Sequence, residues 1–218
     1  DCVNTGTIST TGSYIGGILG YCYGRSNYMI NRCANYGEVT TSTLSTNPVG
    51  GIVGKALNNP STAILTLSIT DCASYANVTG YAYAGGIVGA FESTVSSIEV
   101  KRCFNSGTQT ALTTGAILAS ATNLTAENNY YTNGTADANG TQLTPEEAAN
   151  AASYTGWDFN GVWFATASGA KLRAFAETSL VGTAIRTSGT QGLRFKAEIP
   201  YNVLEAQASV EGYTVKEY

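Results

Sequence analysis

A tandem repeat runs through about the first 131 residues and constrains the fold more than any other feature of the chain. Residues 1–8 read DCVNTGTI, residues 32–39 read RCANYGEV, and looser copies begin at residues 71 and 102. A second motif lies between these copies, as GGILG at 16–20, GGIVG at 50–54 and 85–89, and GAILA at 115–119. Short units of this kind bury their apolar faces only by stacking on one another, so the repeat predicts a linear array.

Each unit contains three short β-prone runs separated by Gly, Ser, Thr or Asn. They follow the cysteine, coincide with the Gly-Gly-Ile motif, and precede the next cysteine, where Ile98 and Val100 alternate around Glu99. No helical period occurs before residue 144. The pattern predicts an all-β fold, a parallel β-solenoid (β-helix) of about four coils in which equivalent positions stack about 4.8 Å apart.

The residue before each repeated cysteine alternates in charge. Apolar residues lie three positions before the cysteines, and two inward positions at this spacing require a bend between them. We therefore predict that the charged residues occupy a water-facing corner and form a charge ladder of Asp1, Arg32, Asp71 and Arg102. Exposed ion pairs contribute only about 0–1 kcal/mol each, so the expected role of this ladder is to fix the register of the coils.

The repeated cysteines predict a second ladder inside the array, formed by Cys2, Cys33, Cys72 and Cys103. Rungs about 4.8 Å apart exceed the roughly 3.8 Å Cβ separation of a relaxed disulfide, which favours buried thiols that fill a narrow core. Disulfides between neighbouring coils remain an alternative in an oxidising location. A zinc site is least favoured, because the chain has no Cys-x-x-Cys pair. Cys22 lies outside this register and is either a second core position or a reactive thiol.

The pattern Cys-x-Asn-x-Gly-x-Ile/Val followed by Gly-Gly-Ile-Val-Gly resembles the GLUG-motif repeats of bacterial cell-surface, adhesin-like proteins of the Firmicutes type. The third copy departs from it at Ser74 and Ala76, and the fourth at Ala116. The resemblance implies a right-handed β-helix that serves as a stalk or adhesive module outside the cell, at the surface or secreted. It implies no catalytic activity.

The repeat degenerates near residue 131, and the chain is expected to have three parts: the GLUG-type solenoid at 1–140, a C-terminal cap at 141–176, and a β-strand appendage at 177–218. Thr144, Pro145 and Glu147 form a helix start with a capping box, which predicts a short helix to about Ser153. Four aromatic residues then crowd together, and we expect them to cap the open end of the last coil: Trp157, Phe159, Trp163 and Phe164. An aromatic platform for carbohydrate is the alternative for these tryptophans.

The region after residue 176 predicts two strands, around 184–187 and 192–196. The cap segment resembles the Trp-Asp-Phe-x-x-x-Trp endings of GLUG arrays, although residues 170–172 replace the expected Tyr-Pro-x-Leu. The last region resembles the opening of a module found in the same class of surface proteins. We therefore expect other domains of the same polypeptide to be among its partners.

Composition limits the chemistry that the chain can perform. It has no histidine, which excludes Ser-His-Asp and Cys-His nucleophilic catalysis and His-ligated metal sites. Net charge is −4, so a nucleic acid is a poor partner, and no apolar run is long enough to cross a membrane. The alternative function is a carbohydrate-active β-helix, such as a polysaccharide lyase or glycosidase. Its best carboxylate pair would be Glu92 and Glu99, but surface solvation explains both better.

The sequence therefore predicts a non-catalytic structural or adhesion module, with no catalytic residue, no cofactor and no metal, and a monomeric state. Its partner would be a host glycan or an extracellular protein. Tyrosines cluster in the first repeat, and we expect the binding residues among them: Tyr14, Tyr21, Tyr23 and Tyr28. Aromatic stacking that protects the edge of the array is the structural alternative for the same four residues.

Overall fold

The computed structural model describes residues 1–24, 27–42, 44, 46–58, 66–91, 97–120, 124–175, 179–186 and 192–198. We call residues 1–31, 32–70, 71–101 and 102–127 repeats 1 to 4, so that each begins directly before its cysteine. Within the described residues, every repeat contributes five strands, where the sequence predicted three. The additional strands arise because two short strands, not one, follow each cysteine, and because the Gly-Gly-Ile motif separates two strands rather than forming one.

The strands of the repeats follow one another in the same order each time. Repeat 1 contains β1 (Val3–Asn4), β2 (Ile8–Thr10), β3 (Ile15–Gly16), β4 (Leu19–Gly24) and β5 (Asn27–Asn31). Repeat 2 contains β6 (Ala34–Asn35), β7 (Val39–Thr41), β8 (Val49–Gly50), β9 (Val53–Asn58) and β10 (Thr66–Thr70). Repeat 3 contains β11 (Ala73–Ser74), β12 (Val78–Thr79), β13 (Tyr83–Gly85), β14 (Val88–Phe91) and β15 (Ser97–Lys101). Repeat 4 contains β16 (Phe104–Asn105), β17 (Gln109–Thr110), β18 (Thr113–Gly115), β19 (Leu118–Ser120) and β20 (Leu124–Glu127).

Equivalent strands of successive repeats pair in parallel and in register, and they build five sheets. Sheet A runs β1-β6-β11-β16 and continues into β21 (Tyr130–Tyr131) and β22 (Thr141–Gln142). Sheets B, C, D and E begin with β2, β3, β4 and β5 and add one strand from each later repeat. In sheet E, for example, Ile30 pairs with Ile69 and Ile69 with Val100. The chain is thus nearly all β, with parallel sheets stacked in register, as expected for a β-solenoid.

The core follows from the period-two pattern of the strands. Inward residues of sheets D and E join the repeated isoleucines of the Gly-Gly-Ile motifs in one buried cluster that includes Ile52, Ile87 and Ile117. A smaller cluster lies between sheets B and C, around Val39, Val49 and Val78. Burial of these side chains stabilises the stack by about 25 cal/mol per Å² of apolar surface.

The corner position, the residue before each repeat's cysteine, has a left-handed backbone. The φ angles are 51° at Arg32, 54° at Asp71 and 51° at Arg102, and Asn128 continues the series at 54°. Non-glycine residues in this region cost about 1–2 kcal/mol each, so the stack overrides local preference at each of these positions. The predicted bend between inward positions is confirmed.

The second glycine of each Gly-Gly-Ile motif makes room for a side chain of the next repeat. A Cβ on Gly86 would lie 2.6 Å from the Cγ of Asn105 and 2.0 Å from the carbonyl oxygen of Ala116. In the fourth copy this glycine is Ala116, and the residue stacked on Asn105 is Tyr131 instead of an asparagine.

After residue 140 the chain forms a short helix, α1 (Pro145–Ala148), and a 3₁₀ turn at Ala151–Ser153. The predicted capping box is present: the Thr144 hydroxyl accepts from the Glu147 backbone N–H, and the Glu147 carboxylate accepts from the Thr144 N–H. The helix is shorter than predicted, because it ends at Ala148. An antiparallel hairpin follows, formed by β23 (Trp163–Thr166) and β24 (Gly169–Leu172), and a second 3₁₀ turn spans Arg173–Phe175.

Residues 143–175, the C-terminal segment, pack along the outer side of sheet A. Trp157 Nε1 donates to the Asn128 carbonyl at 2.8 Å, and the Tyr75 hydroxyl donates to the Ala170 carbonyl at 3.0 Å. Trp163 Nε1 lies 3.3 Å from Asp71 Oδ1, in repeat 3. Trp163 therefore contacts repeat 3 as well as sharing a buried cluster with Phe104 and Tyr130 near the end of the stack.

The last described strands are β25 (Ser179–Arg186) and β26 (Gly192–Glu198), which lie at the two predicted strand positions and pair antiparallel. Within the described part of the chain, no helix has the length and apolar character needed to cross a membrane.

Candidate functional site

Three of the four predicted binding tyrosines form a continuous ring stack on the outer side of the first repeat. The Tyr14 and Tyr21 rings are 4.6 Å apart between centroids and inclined by 21°, and the Tyr21 and Tyr23 rings are 5.6 Å apart and inclined by 20°. Tyr21 and Tyr23 alternate along β4 with Cys22, which points into the core. Strand alternation therefore places these two rings on the same outer face.

Tyr28 takes a different position. Its ring packs against the buried cluster, and its hydroxyl donates to the Tyr23 backbone carbonyl at 3.1 Å. Tyr28 thus fixes the backbone that carries Tyr23 and does not extend the ring stack.

Among the described residues, the stack is exposed at one end. Tyr21 has a ring on each side, and the Lys55 amine lies 4.8 Å from the Tyr14 ring centroid. Tyr23 ends the stack and is 46% exposed. An open tyrosine face backed by a rigid strand can pack against the apolar face of a sugar ring or an apolar side chain of a protein partner.

The charge ladder divides into two pairs with different surroundings. Arg32 Nε lies 2.8 Å from Asp1 Oδ1 in an exposed pair, whose side chains are 48% and 45% accessible. Arg102 binds Asp71 through Nε and Nη2 at 2.8 and 2.7 Å, and the Asp71 side chain is only 11% accessible. The expectation that all four residues face water is wrong for Asp71, because the C-terminal segment covers it with Trp163.

The structural cysteines lie where the repeat predicts, with one exception. Cys33, Cys72 and Cys103 are buried, whereas Cys2, which directly precedes β1, is exposed. Cys22 is fully buried beside the same core cluster, and burial raises the pKa of its thiol from 9.0 to about 12. The structure therefore places Cys22 at a second core position and not at a reactive site.

Of the two carboxylates considered for the alternative enzyme function, Glu99 occupies a surface ion pair in the described structure. Glu99 lies 2.6 Å from Lys101 and accepts a hydrogen bond from Ser68, and the Lys101 side chain lowers the pKa of Glu99. Glu92 lies outside the described residues. Among the residues that the structure describes, no group of three or more Cys, Asp or Glu side chains is arranged to hold a metal ion.

The aromatic residues proposed for the cap are mostly buried. Trp163 is fully buried, Phe164 is 3% and Trp157 9% exposed, and Phe159 is partly exposed. Trp157 and Trp163 pack on each other with centroids 4.3 Å apart. Their ring faces are covered by protein, so the tryptophans do not form the open carbohydrate platform considered as their alternative.

Two polar residues that the sequence analysis did not single out, Asn129 and Asp137, form hydrogen bonds at the C-terminal end of the stack. Asn129 stands in the register of the cysteines, accepts from the Cys103 N–H at 3.0 Å and donates to the Val100 carbonyl at 2.8 Å. Asp137 Oδ2 accepts from the Ile117 and Leu118 N–H groups at 2.8 and 2.7 Å. In repeats 1 to 3, the corresponding two N–H groups donate to the carbonyl of the motif isoleucine in the next repeat. The Ile117 carbonyl, for example, accepts from the N–H groups of residues 87 and 88. From the sequence, Asn129 could have been found only by extending the repeat beyond Cys103 to the next equivalent position.

Comparison of the chain with protein-family models, with curated proteins and with solved structures finds no match.

Proposed function

We propose that this chain is a non-catalytic structural and adhesion module of a bacterial surface protein. The observation that carries the proposal is the parallel, in-register stacking of its repeats, with an aromatic stack held on the outside of the first repeat. A rod of this kind would display a binding surface at a fixed distance from its anchor.

Several features support rigid display as the mechanism. Backbone N–H and C=O groups of each described repeat bond to the next, so the stacked strands satisfy one another's polar groups. The finer architecture that we propose is a right-handed solenoid of four coils with a cap at 141–176. The cap is supported by β22, which adds to β21 at the end of sheet A.

The exposure of Tyr23 supports the second part of the proposal, that the module binds a partner. Its side chain is 46% exposed, so a partner can reach it, and Tyr28 and Tyr21 hold it in place. Because the ring is already ordered, binding would cost little side-chain entropy. We propose a host glycan or an extracellular protein as the partner.

The resemblance to GLUG-motif repeats supports a location outside the cell, at the surface or secreted. Four Cys-x-Asn-type starts and four Gly-Gly-Ile-type motifs carry this resemblance. Low charge density, at 12% of residues, fits a stalk whose stability does not depend on surface ion pairs.

Binding is tested with immobilised glycans, mucin and matrix proteins, using the wild-type chain and Tyr23→Ala. We expect saturable binding that weakens at least tenfold in the variant, because a hot-spot aromatic typically contributes 2 kcal/mol or more. Tyr81→Ala is the matched control, since Tyr81 is 40% exposed and lies in repeat 3.

Equal loss in both variants would show that the effect is not specific to the stack. Binding that survives Tyr23→Ala would place the partner elsewhere on the molecule. Absence of binding by a folded wild-type chain would contradict the adhesion part of the proposal and leave display alone.

A further inference from the structure

The two ends of the described stack are built differently. At the C-terminal end, β22 extends sheet A beyond the repeats, and the Asp137 carboxylate accepts from two N–H groups of repeat 4. At the other end, each strand of repeat 1 is the terminal strand of its sheet. Repeat 1 keeps the repeat sequence up to this edge, which we call the repeat 1 edge, so its strands present the backbone groups of an internal coil.

The repeat 1 edge carries donors and acceptors that are paired in every later repeat. The N–H groups one and three residues after each later cysteine donate to carbonyls of the preceding repeat, as Ala34 does to Cys2 at 2.9 Å. In repeat 1 these N–H groups belong to Val3 and Thr5. Acceptors face the same way, because the isoleucine carbonyl of each later Gly-Gly-Ile motif accepts from the preceding repeat, and in repeat 1 this isoleucine is Ile18. An edge of this kind is suited to pairing with added strands.

Side chains on the repeat 1 edge are more exposed than their counterparts inside the stack. Val3 is 46% exposed, whereas Ala34 and Ala73 at the same position are fully buried. Cys2 is exposed, unlike the later cysteines of its ladder, and Ile18 is only partly buried, unlike the later motif isoleucines. A coil stacked on this edge would remove these apolar groups from water.

Gly6 indicates what the edge is shaped to receive. At the same position in repeats 2 and 4, a Cβ on Gly37 or Gly107 would lie 2.0 Å from a carbonyl oxygen of the preceding repeat. Repeat 3 has Ala76 here, so all three positions with a repeat beneath them hold small residues. A Cβ on Gly6 would approach only Asn4 Oδ1, at 3.8 Å, and the φ angle of Gly6 is not positive. Nothing in the described chain requires a small residue at Gly6, whereas a coil beneath it would.

The corner residue gives the charge of that coil. Repeat 3 begins with Asp71 and follows repeat 2, which begins with Arg32. Repeat 1 also begins with an aspartate, and the Asp1 side chain remains 45% accessible although it pairs with Arg32. A coil with a basic corner, like repeat 2, therefore complements the repeat 1 edge.

We propose that the repeat 1 edge docks one further coil of the same repeat type, joined to residue 1 and carrying an arginine or lysine at its corner. Each later repeat is entered through its corner residue from sheet E of the repeat before, and the docked coil connects in the same way. It adds one strand to each of the five sheets and lengthens the stack by about 4.8 Å. This docking does not depend on ligand binding at Tyr23.

The test places a second copy of residues 32–70 directly before residue 1 of the full chain. Residue 70 is followed by Asp71 and Cys72 in the chain and would be followed by Asp1 and Cys2 in the extended protein, so the natural junction is reproduced. Hydrogen exchange measured by NMR at the Val3 N–H should slow by roughly tenfold or more relative to a control extension with the same residues in shuffled order. Equal exchange in the two extended proteins would overturn the proposal.

Gly6→Val separates docking from the stability of the chain itself. Without the extension it should leave the urea midpoint unchanged, because a Cβ there has no close neighbour. With the extension it should abolish the protection of Val3, because the added side chain would meet a carbonyl of the docked coil. Gly37→Val is the matched control and should lower the midpoint with or without the extension, since its Cβ meets the Gly6 carbonyl.

Two further outcomes would contradict the proposal. Protection of Val3 that survives Gly6→Val would show that the added residues do not stack on the repeat 1 edge in the register of the repeats. A concentration-dependent dimer of the unextended chain, detected by sedimentation velocity and abolished by Gly6→Val, would assign the edge to a second copy of the chain instead.

Discussion

At the scale of single residues, the carboxylate of Asp137 accepts the two hydrogen bonds that a backbone carbonyl accepts elsewhere in the stack. In repeats 1 to 3, two successive N–H groups bond to the isoleucine carbonyl of the next repeat, as Ile18 and Leu19 bond to Ile52. Where the isoleucine series ends, Asp137 supplies the acceptor. One side chain thus satisfies donors that would otherwise remain unpaired at the end of a sheet.

Replacing Asp137 tests this role directly. We expect Asp137→Ala to lower the free energy of unfolding by roughly 2–3 kcal/mol, because it leaves two partly buried N–H donors without their acceptor. Asp137→Asn should cost less, since an amide oxygen can still accept. Urea unfolding of the three proteins measures the difference, and an equal loss in both variants would contradict the acceptor role.

The corner arginines allow a matched comparison of exposed and buried ion pairs. Arg32 and Arg102 occupy equivalent positions with equal φ angles, and each binds an aspartate. Arg102→Ala leaves Asp71 buried beneath Trp163 without its cation, which typically costs about 3–5 kcal/mol for a fully buried pair. Arg32→Ala breaks an exposed pair, which contributes about 0–1 kcal/mol.

We therefore expect Arg102→Ala to be at least 2 kcal/mol less stable than Arg32→Ala in urea unfolding, a conservative margin because Arg102 is partly exposed. Equal effects would show that the C-terminal segment does not isolate Asp71 from water.

The buried Cys22 thiol links stability to pH. Its pKa rises from 9.0 to about 12 on folding, so between these values the unfolded chain binds fewer protons than the folded chain. The free energy of unfolding must then fall as pH rises, by about 1.4 kcal/mol per pH unit for one such group. We expect Cys22→Ala to reduce the slope of this decline between pH 9 and 10.5, by up to about 1.4 kcal/mol per pH unit. Measurement at pH 7, where the thiol is neutral in both states, gives the cost of the substitution itself, and identical slopes would contradict the assignment.

At the scale of elements, the sequence predicts features that follow from local patterns and misses those that depend on contacts between repeats. Parallel stacking, the corner bend and the helix start follow from local patterns that occur at fixed spacing, such as Thr144 three residues before Glu147. The split of each Gly-Gly-Ile motif into two strands depends on the close approach of the next repeat's backbone. A Cβ added at Gly86, for example, would lie 2.0 Å from the Ala116 carbonyl oxygen. Local propensity carries no information about that approach.

The tyrosine site shows the same limit. Proximity in sequence correctly grouped Tyr14, Tyr21 and Tyr23, because alternation along β4 sets the last two on one face. It could not separate Tyr28, whose ring turns inward on the neighbouring strand.

At the scale of the whole molecule, the C-terminal segment joins repeats that would otherwise contact only their neighbours. Linear arrays unfold as sums of units and interfaces, so individual repeats can open separately. Here the segment touches Asn128, Phe104, Tyr75 and Asp71, and it thereby connects the last strands to repeat 3. Contacts that span several repeats should make the unfolding of the array more cooperative.

The two tryptophans provide a direct test of this coupling, because both lie in the C-terminal segment whereas the strands dominate the circular dichroism. If segment and stack unfold together, urea transitions followed by tryptophan fluorescence and by far-ultraviolet circular dichroism will coincide. Tyr75→Phe removes the bond to Ala170 and keeps the ring, so it should lower both midpoints together. A fluorescence transition at lower urea than the dichroism transition would show that the segment detaches first, and the stack would then be stable without it.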